Sequence, residues 1–265
     1  MTAVEIDFGG LTSVFRRLRQ GEILKCPRSI WKESSAYESM TRTVAHEFSV
    51  ERGILELLGE HPGIVRYLGW DDITKGLILA EASEGSLEGY LNKYNETIPA
   101  RVRQKWCLQV VEGLAYIHSR GVIHSDLRPD NVLIHATTPD SLDIWLCDFG
   151  GLMCDKLGLD GGHLPDSGFY DPNADPVSTP AMDIFSVGSI LYSILIGHWL
   201  YRKQRGSFGN GERMSYGEEA DRLFRAREFP SVERLFGGVV ILGCWTRKYS
   251  SAKDVLEDLN LVGIE

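Results

Sequence analysis

Apolar positions in the first eighty residues fall in short runs bounded by glycine and polar turns, the pattern of an antiparallel sheet. Val4 to Phe8, Val14 to Leu18 and Glu22 to Cys26 are strand candidates, and Ile64 to Trp70 and Leu77 to Glu81 complete the set. Between them the period changes. Val44, Phe48, Ile54, Leu55 and Leu58 recur at helical spacing and predict a helix over Thr41 to Leu58. After residue 86 the helical period dominates, with helices expected over 86–93, 100–119, 181–196, 216–227, 232–242 and 251–260. One hairpin, Val132 to Cys147, interrupts that series around the turn Thr137-Thr138-Pro139-Asp140-Ser141. The fold class is therefore α+β. Residues 1–81 are expected to be β-rich with one helix and residues 86–265 mainly helical, with 82–85 between them.

Composition narrows this picture. A chain of 265 residues with 43% hydrophobic content can fill two cores around a cleft as one catalytic unit. A formal charge of −9 argues against nucleic acid as the main partner. The longest apolar run, Ile184 to Tyr201, is short for a bilayer and carries Ser186, Ser189, Ser193 and His198, so a helix buried inside the larger lobe is expected, not a membrane span. Cys26, Cys107, Cys147, Cys154 and Cys244 lack paired metal spacing. With no secretory leader read at the N-terminus, they suggest reduced thiols in a cytoplasmic or nuclear protein.

The chemistry concentrates in two segments. His124-Ser125-Asp126-Leu127-Arg128-Pro129-Asp130-Asn131 follows the apolar Gly121-Val122-Ile123, and Asp148-Phe149-Gly150 follows the run from Leu142 to Cys147. This spacing brings two acids and one amide to the ends of neighbouring strands. One acid can accept a proton from a hydroxyl, while Asn131 and Asp148 can hold a divalent metal through oxygen. That is equipment for phosphoryl transfer from a nucleotide, where positioning and charge neutralisation dominate.

These two segments resemble the catalytic loop His-Arg-Asp-Leu-Lys-Pro-x-Asn and the metal-binding Asp-Phe-Gly of the eukaryotic protein kinases. The resemblance extends to Glu112-Gly113-Leu114-Ala115-Tyr116-Ile117-His118, to Met182 through Gly188, to Gly243-Cys244-Trp245 with Ser251 to Leu259, and to His61 through Gly69. Pro129 is similar to the serine/threonine-specific class, and the overall style resembles small, divergent fungal members. The resemblance implies a two-lobed kinase fold, ATP and Mg²⁺ as cofactors, and a protein substrate. It implies Asp126 as proton acceptor, Arg128 near the transferred phosphoryl group, and Asn131 with Asp148 on the metal. It puts Lys25 on the nucleotide phosphates, and Glu81 and Ala82 beside the nucleotide. Glu47, Glu51 and Glu56 compete as the partner of Lys25; Glu51 stands at the family distance from His61-Pro62.

Departures from the family pattern carry expectations too. Gly9 and Gly10 stand alone where three glycines usually cover the phosphates, so an ordinary hairpin turn competes with a phosphate loop and Thr12 and Ser13 are alternative donors. Ser125 replaces an arginine that grips a phosphate on the activation segment. Arg128 replaces a lysine, which keeps the charge and changes donor geometry. Asn173 stands where the family's Ala-Pro-Glu supplies a glutamate to an ion pair, and that pair is expected to be lost. His124 is expected to bridge backbone groups; His118, His163 and His198 receive no role. Three functions compete: a serine/threonine protein kinase, a catalytically silent pseudokinase acting as a binding module, and a small-molecule kinase of similar architecture.

Overall fold

A computed structural model describes residues 4–6, 12–202, 206, 208–209 and 211–263. Gly9 and Gly10 lie outside the described residues. The N-terminal part is an antiparallel sheet of β1 (Val4–Ile6), β2 (Ser13–Arg19), β3 (Glu22–Pro27), β4 (Tyr67–Asp71) and β5 (Gly76–Ala80) in the order β1-β2-β3-β5-β4. Phe15 pairs with Lys25 and Lys25 with Leu77, so Lys25 sits mid-sheet with a neighbour on each side. One helix, α1 (Tyr37–Leu58), packs on β3, β4 and β5. It starts four residues before the expected Thr41. The extra turn carries no apolar stripe; Thr41 Oγ1 donates to Tyr37 O at 2.7 Å and Ser39 Oγ to Ala36 O at 2.9 Å.

Helices α2 (Leu87–Tyr94), α3 (Ala100–Ser119), α4 (Pro180–Ile196), α5 (Glu212–Arg225), α6 (Gly238–Trp245) and α7 (Ala252–Val262) build the larger part, with the hairpin β6 (Val132–Thr138) and β7 (Ser141–Leu146) on its upper face. The two parts form the two-lobed kinase fold. The α4 run is buried along its length, and its serines satisfy themselves there. Ser193 Oγ donates to Ser189 O at 2.8 Å, Ser186 Oγ to Met182 O at 3.1 Å, and Ser189 Oγ accepts Trp245 Nε1 at 3.1 Å. Among the described residues no helix is long and apolar enough to cross a membrane.

Two further expectations are corrected, and one pair of strands lies where none was expected. The strand expected over Ile64 to Trp70 begins only at Tyr67; Ile64 instead bridges Leu146. The helix expected over Val232 to Leu242 begins at Gly238, because Gly237 takes a left-handed backbone (φ 62°) that interrupts the turn and a Cβ at Gly238 would collide with Val232 O. Two short strands, β8 (Met153–Cys154) and β9 (Leu159–Asp160), pair within the segment after Asp148, where no apolar alternation announces them.

Candidate active site

The site is built where the sheet faces the hairpin. Lys25 on β3 and Glu51 on α1 are 7% and 1% exposed, and Lys25 Nζ donates to Glu51 Oε2 at 2.7 Å and to Asp148 Oδ1 at 2.6 Å. Burial disfavours the ammonium, yet Asp148 and then Glu51 outweigh it and raise the Lys25 pKa above the ordinary lysine value. Lys25 in turn holds Asp148 below the usual carboxylate range. Glu51 moves the other way, lifted by burial against the pull of Lys25, and its Oε1 accepts the Phe149 N–H at 3.4 Å. The other two candidate glutamates are engaged elsewhere: Glu47 faces His163 at 3.2 Å and Glu56 binds Arg52 at 2.9 Å.

The loop from His124 to Asn131 lies directly below. Cys147 N donates to Asn131 O at 3.0 Å and His124 Nε2 to Cys147 O at 3.1 Å, stitching the two motif segments together. Asn131 Nδ2 donates to both Asp126 O (2.7 Å) and Asp126 Oδ2 (2.9 Å), fixing that carboxylate. Burial lifts the Asp126 pKa to about 7, against the attraction of Arg128 and with a smaller push from Asp148. Arg128 faces three carboxylates: Asp166 at 2.8 Å, Asp126 at 3.7 Å and Asp130 at 3.8 Å. Cys147, between the two segments, has its thiol pKa pushed well up by burial and then by the Asp148 charge.

The loop owes its shape to a residue the sequence reading used only as part of a helix motif. Asp183, fully buried in the first turn of α4, accepts His124 N at 2.7 Å and His118 Nε2 at 2.8 Å on Oδ2, and Ser125 N at 2.9 Å on Oδ1. Ser125 can thus hold a left-handed backbone (φ 58°), which a non-glycine residue adopts only when its surroundings enforce it. His118, given no role, belongs to this brace. An acid opening an otherwise apolar helix was the available signal.

One other correction concerns the segment that ends at Pro172. The ion pair expected to be lost with Asn173 is present in another form: Asp171 Oδ2 binds Arg247 Nη2 at 2.6 Å, with Asp171 9% exposed. Asn173 N donates to Asp171 Oδ1 at 2.9 Å, so the carboxylate has moved two residues towards the N-terminus. The segment is held by contacts of its own. β8 pairs with β9, Met153 and Ile123 exchange both backbone bonds (2.9 and 3.1 Å), and His46 Nε2 donates to Asp160 O at 2.8 Å. Close backbone packing adds to this, because a Cβ at Gly161 would collide with Gly150 O. His163, also given no role, lies 3.2 Å from Glu47 on α1; that hydrogen bond raises its pKa against the effect of burial.

Of the remaining candidates, Glu81 donates its N–H to Gly21 O at 2.9 Å and its carboxylate accepts Arg17 Nε at 2.8 Å. Ala82 follows it in the passage from β5 to α2. Ser13 opens β2 opposite Pro27 and is buried.

A two-lobed fold with a lysine–glutamate pair joined to the acid of an Asp-Phe-Gly, above a loop presenting a fixed aspartate and asparagine, is the arrangement of a kinase. The protein kinase domain family model matches residues 9–232, and the chain belongs to that family. It is 24% identical over 246 residues to the serine/threonine-protein kinase WNK4 of Rattus norvegicus, covering 89% of this chain and 19% of that protein. It is 28% identical over 199 residues to the serine/threonine-protein kinase PLK4 of Nematostella vectensis (71% of this chain, 19% of that protein). A third relative, the serine/threonine-protein kinase PDK1 of Cryptococcus neoformans, is 29% identical over 149 residues (52% and 12%). The chain therefore spans about a fifth or less of the length of these relatives.

Proposed function

We propose that this chain transfers the γ-phosphoryl group of ATP to serine or threonine hydroxyls of a protein substrate. The observation that carries the reading is the junction at Lys25, whose ammonium joins Glu51 of the regulatory helix to Asp148 of the metal-binding segment, directly above Asp126 and Asn131. Lys25, held by Glu51, binds nucleotide phosphates; the backbone at Glu81 and Ala82 lies beside the base, with 1–81 and 86–265 as the two lobes and 82–85 as the hinge. Asp126 orients the acceptor hydroxyl and takes its proton, a role that a carboxylate with a raised pKa suits. Arg128 places positive charge near the transferred group.

The donor set fits Mg²⁺. Asn131 uses Nδ2 on Asp126 and so keeps its carbonyl oxygen for another partner, and Asp148, with one oxygen on Lys25, has a second. Among the described residues no cluster of three His, Cys, Asp or Glu side chains would enclose a metal. Two hard oxygens without an all-protein cage suit Mg²⁺, which keeps waters and takes phosphate oxygens. When bound, the ion supplies charge neutralisation at the phosphates. Support for the serine/threonine class comes from Pro129 and from relatives that are themselves serine/threonine-protein kinases. The five cysteines stand as thiols, which accords with action in the cytoplasm or nucleus.

Labelled ATP, Mg²⁺ and a degenerate serine/threonine peptide library test the proposal. Asp126→Asn is expected to abolish transfer while leaving Mg²⁺–nucleotide binding intact, and Asp148→Asn to weaken the Mg²⁺-dependent part of that binding. Nucleotide binding by the wild-type chain with no transfer to any peptide would leave a pseudokinase in its place, and unchanged transfer by either variant would reject the assigned roles.

A further inference from the structure

Asp166 lies outside both motif segments, yet it makes the shortest ionic contact of the catalytic-loop arginine. Its Oδ2 accepts Arg128 Nη1 at 2.8 Å and Arg213 Nη2, from α5, at 2.5 Å. The turn that presents it is firmly held. Phe169 N donates to Asp166 O at 3.0 Å, the Phe169 ring is fully buried edge-on to Trp199 (centroids 4.9 Å apart), and Ser186 Oγ donates to Phe169 O. Arg213 is itself placed over the Trp199 ring at 5.5 Å. The carboxylate thus arrives at Arg128 from a fixed direction.

The other end of the same guanidinium is left unsatisfied. Arg128 Nε is buried and makes no hydrogen bond, although Asp126 Oδ1 is 3.7 Å away. A buried N–H beside a carboxylate should close the gap, because an orphaned buried donor loses its water without gaining a partner. Asp126 Oδ2 already accepts Asn131 Nδ2, so capture of Oδ1 by Arg128 would engage both oxygens of the proposed proton acceptor. What opposes that closure is the pull at Nη1.

We propose that Asp166 is a positioning residue for phosphoryl transfer: by holding the Nη1 end of Arg128 it keeps Nε from closing on Asp126, and so keeps Asp126 Oδ1 open to the acceptor hydroxyl. The inference rests on the roles given above to Asp126 and Arg128. It assigns Asp166 no contact with ATP. A change there should lower kcat and leave the KM for ATP alone. The three acids around Arg128 are then not equivalent. Asp130, at 3.8 Å, adds charge without a hydrogen bond, and Asp166 alone sets the orientation of the guanidinium.

The test uses the full chain and two readouts. In Asp166→Ala the Arg128 Nε–H resonance, assigned by its loss in Arg128→Lys, should move downfield and its exchange with solvent should slow as the bond to Asp126 forms. That change should vanish when Asp126→Ala is added. In the peptide assay kcat should fall roughly tenfold or more with the KM for ATP within about twofold, and Asp166→Glu should recover most of the rate. Asp166→Asn, a smaller perturbation, should shift the resonance the same way if the alanine variant folds poorly. An unmoved Nε–H signal overturns the proposal, and so does a rise in peptide KM with kcat unchanged, which would make Asp166 a substrate-contacting residue. If the wild-type chain transfers no phosphate, the proposed function fails, and the Nε–H signal still decides whether Asp166 restrains Arg128.

Discussion

Asp183→Asn changes one oxygen to an amide at a site where three donors converge on two oxygens. If the remaining carbonyl faces His118 Nε2 and His124 N, the new NH₂ meets the Ser125 N–H head-on. Bonds to a carboxylate are worth about 1.5–3 kcal/mol each against roughly 1 for a neutral pair, and an orphaned buried donor costs about 1–3 kcal/mol more. Taken at the low end of each range, the two weakened bonds and the lost third bond together predict a destabilisation of about 4 kcal/mol. At about 2–4 °C per kcal/mol, the melting temperature should fall by roughly 10 °C. Ser125 also loses the restraint on its left-handed backbone, so the Asp126 loop should relax and turnover should fall by about tenfold or more even well below the melting temperature. Thermal unfolding followed by circular dichroism, with peptide phosphorylation measured at ~20 °C below the variant's midpoint, reads both effects. A melting temperature within ~3 °C of wild type, with turnover unchanged, would show that Asp183 does not brace the loop.

Two further predictions concern the segment after Asp148. The Glu47 hydrogen bond raises the His163 pKa above its ordinary 6.5, so that tether is complete below the unfolded value and is lost as pH rises through the folded one. Hydrogen-exchange protection over 159–163, corrected for intrinsic rates, should therefore be higher near pH ~6 than near pH ~8, and Glu47→Gln should flatten the difference; protection that rises with pH would contradict the assignment. Because the segment is ordered by β8–β9 pairing and by His46 and His163, activity should not need a phosphate: Ser167→Ala should change kcat by less than about threefold, or ~0.7 kcal/mol, and phosphatase treatment should not silence the enzyme.

The parts of the fold legible in the sequence were those written locally. Helix α3 runs over the expected Ala100–Ser119, since its apolar stripe continues from end to end, and Glu51 rather than Glu47 or Glu56 meets Lys25. Both motif segments meet because Asp148 follows β7 and Asn131 precedes its partner β6, where Cys147 N donates to Asn131 O, whereas the strand-type run Gly121-Val122-Ile123 forms only an isolated bridge from Ile123 to Met153. What sequence could not show depends on contacts between distant residues. Asp183 acts on backbone N–H groups 58 and 59 residues away, and no period or spacing registers that. Asp171 makes the ion pair expected to be lost at Asn173, because only the course of the chain near Arg247 decides which side chain reaches it. At 232–236, apolar residues at helical spacing form turns because the left-handed Gly237 ends that path.

Cys147 sets a limit on chemical probes of this protein. A cysteine immediately before Asp148 invites covalent inhibitors with an electrophile aimed at the cleft. Alkylation requires the thiolate, and here burial and the neighbouring Asp148 charge keep the proton on sulfur at neutral pH. An acrylamide or chloroacetamide warhead placed within reach should therefore react slowly. A selective inhibitor would have to rely on long reversible residence, because the Lys25 ammonium, held protonated between Asp148 and Glu51, offers no free lone pair either.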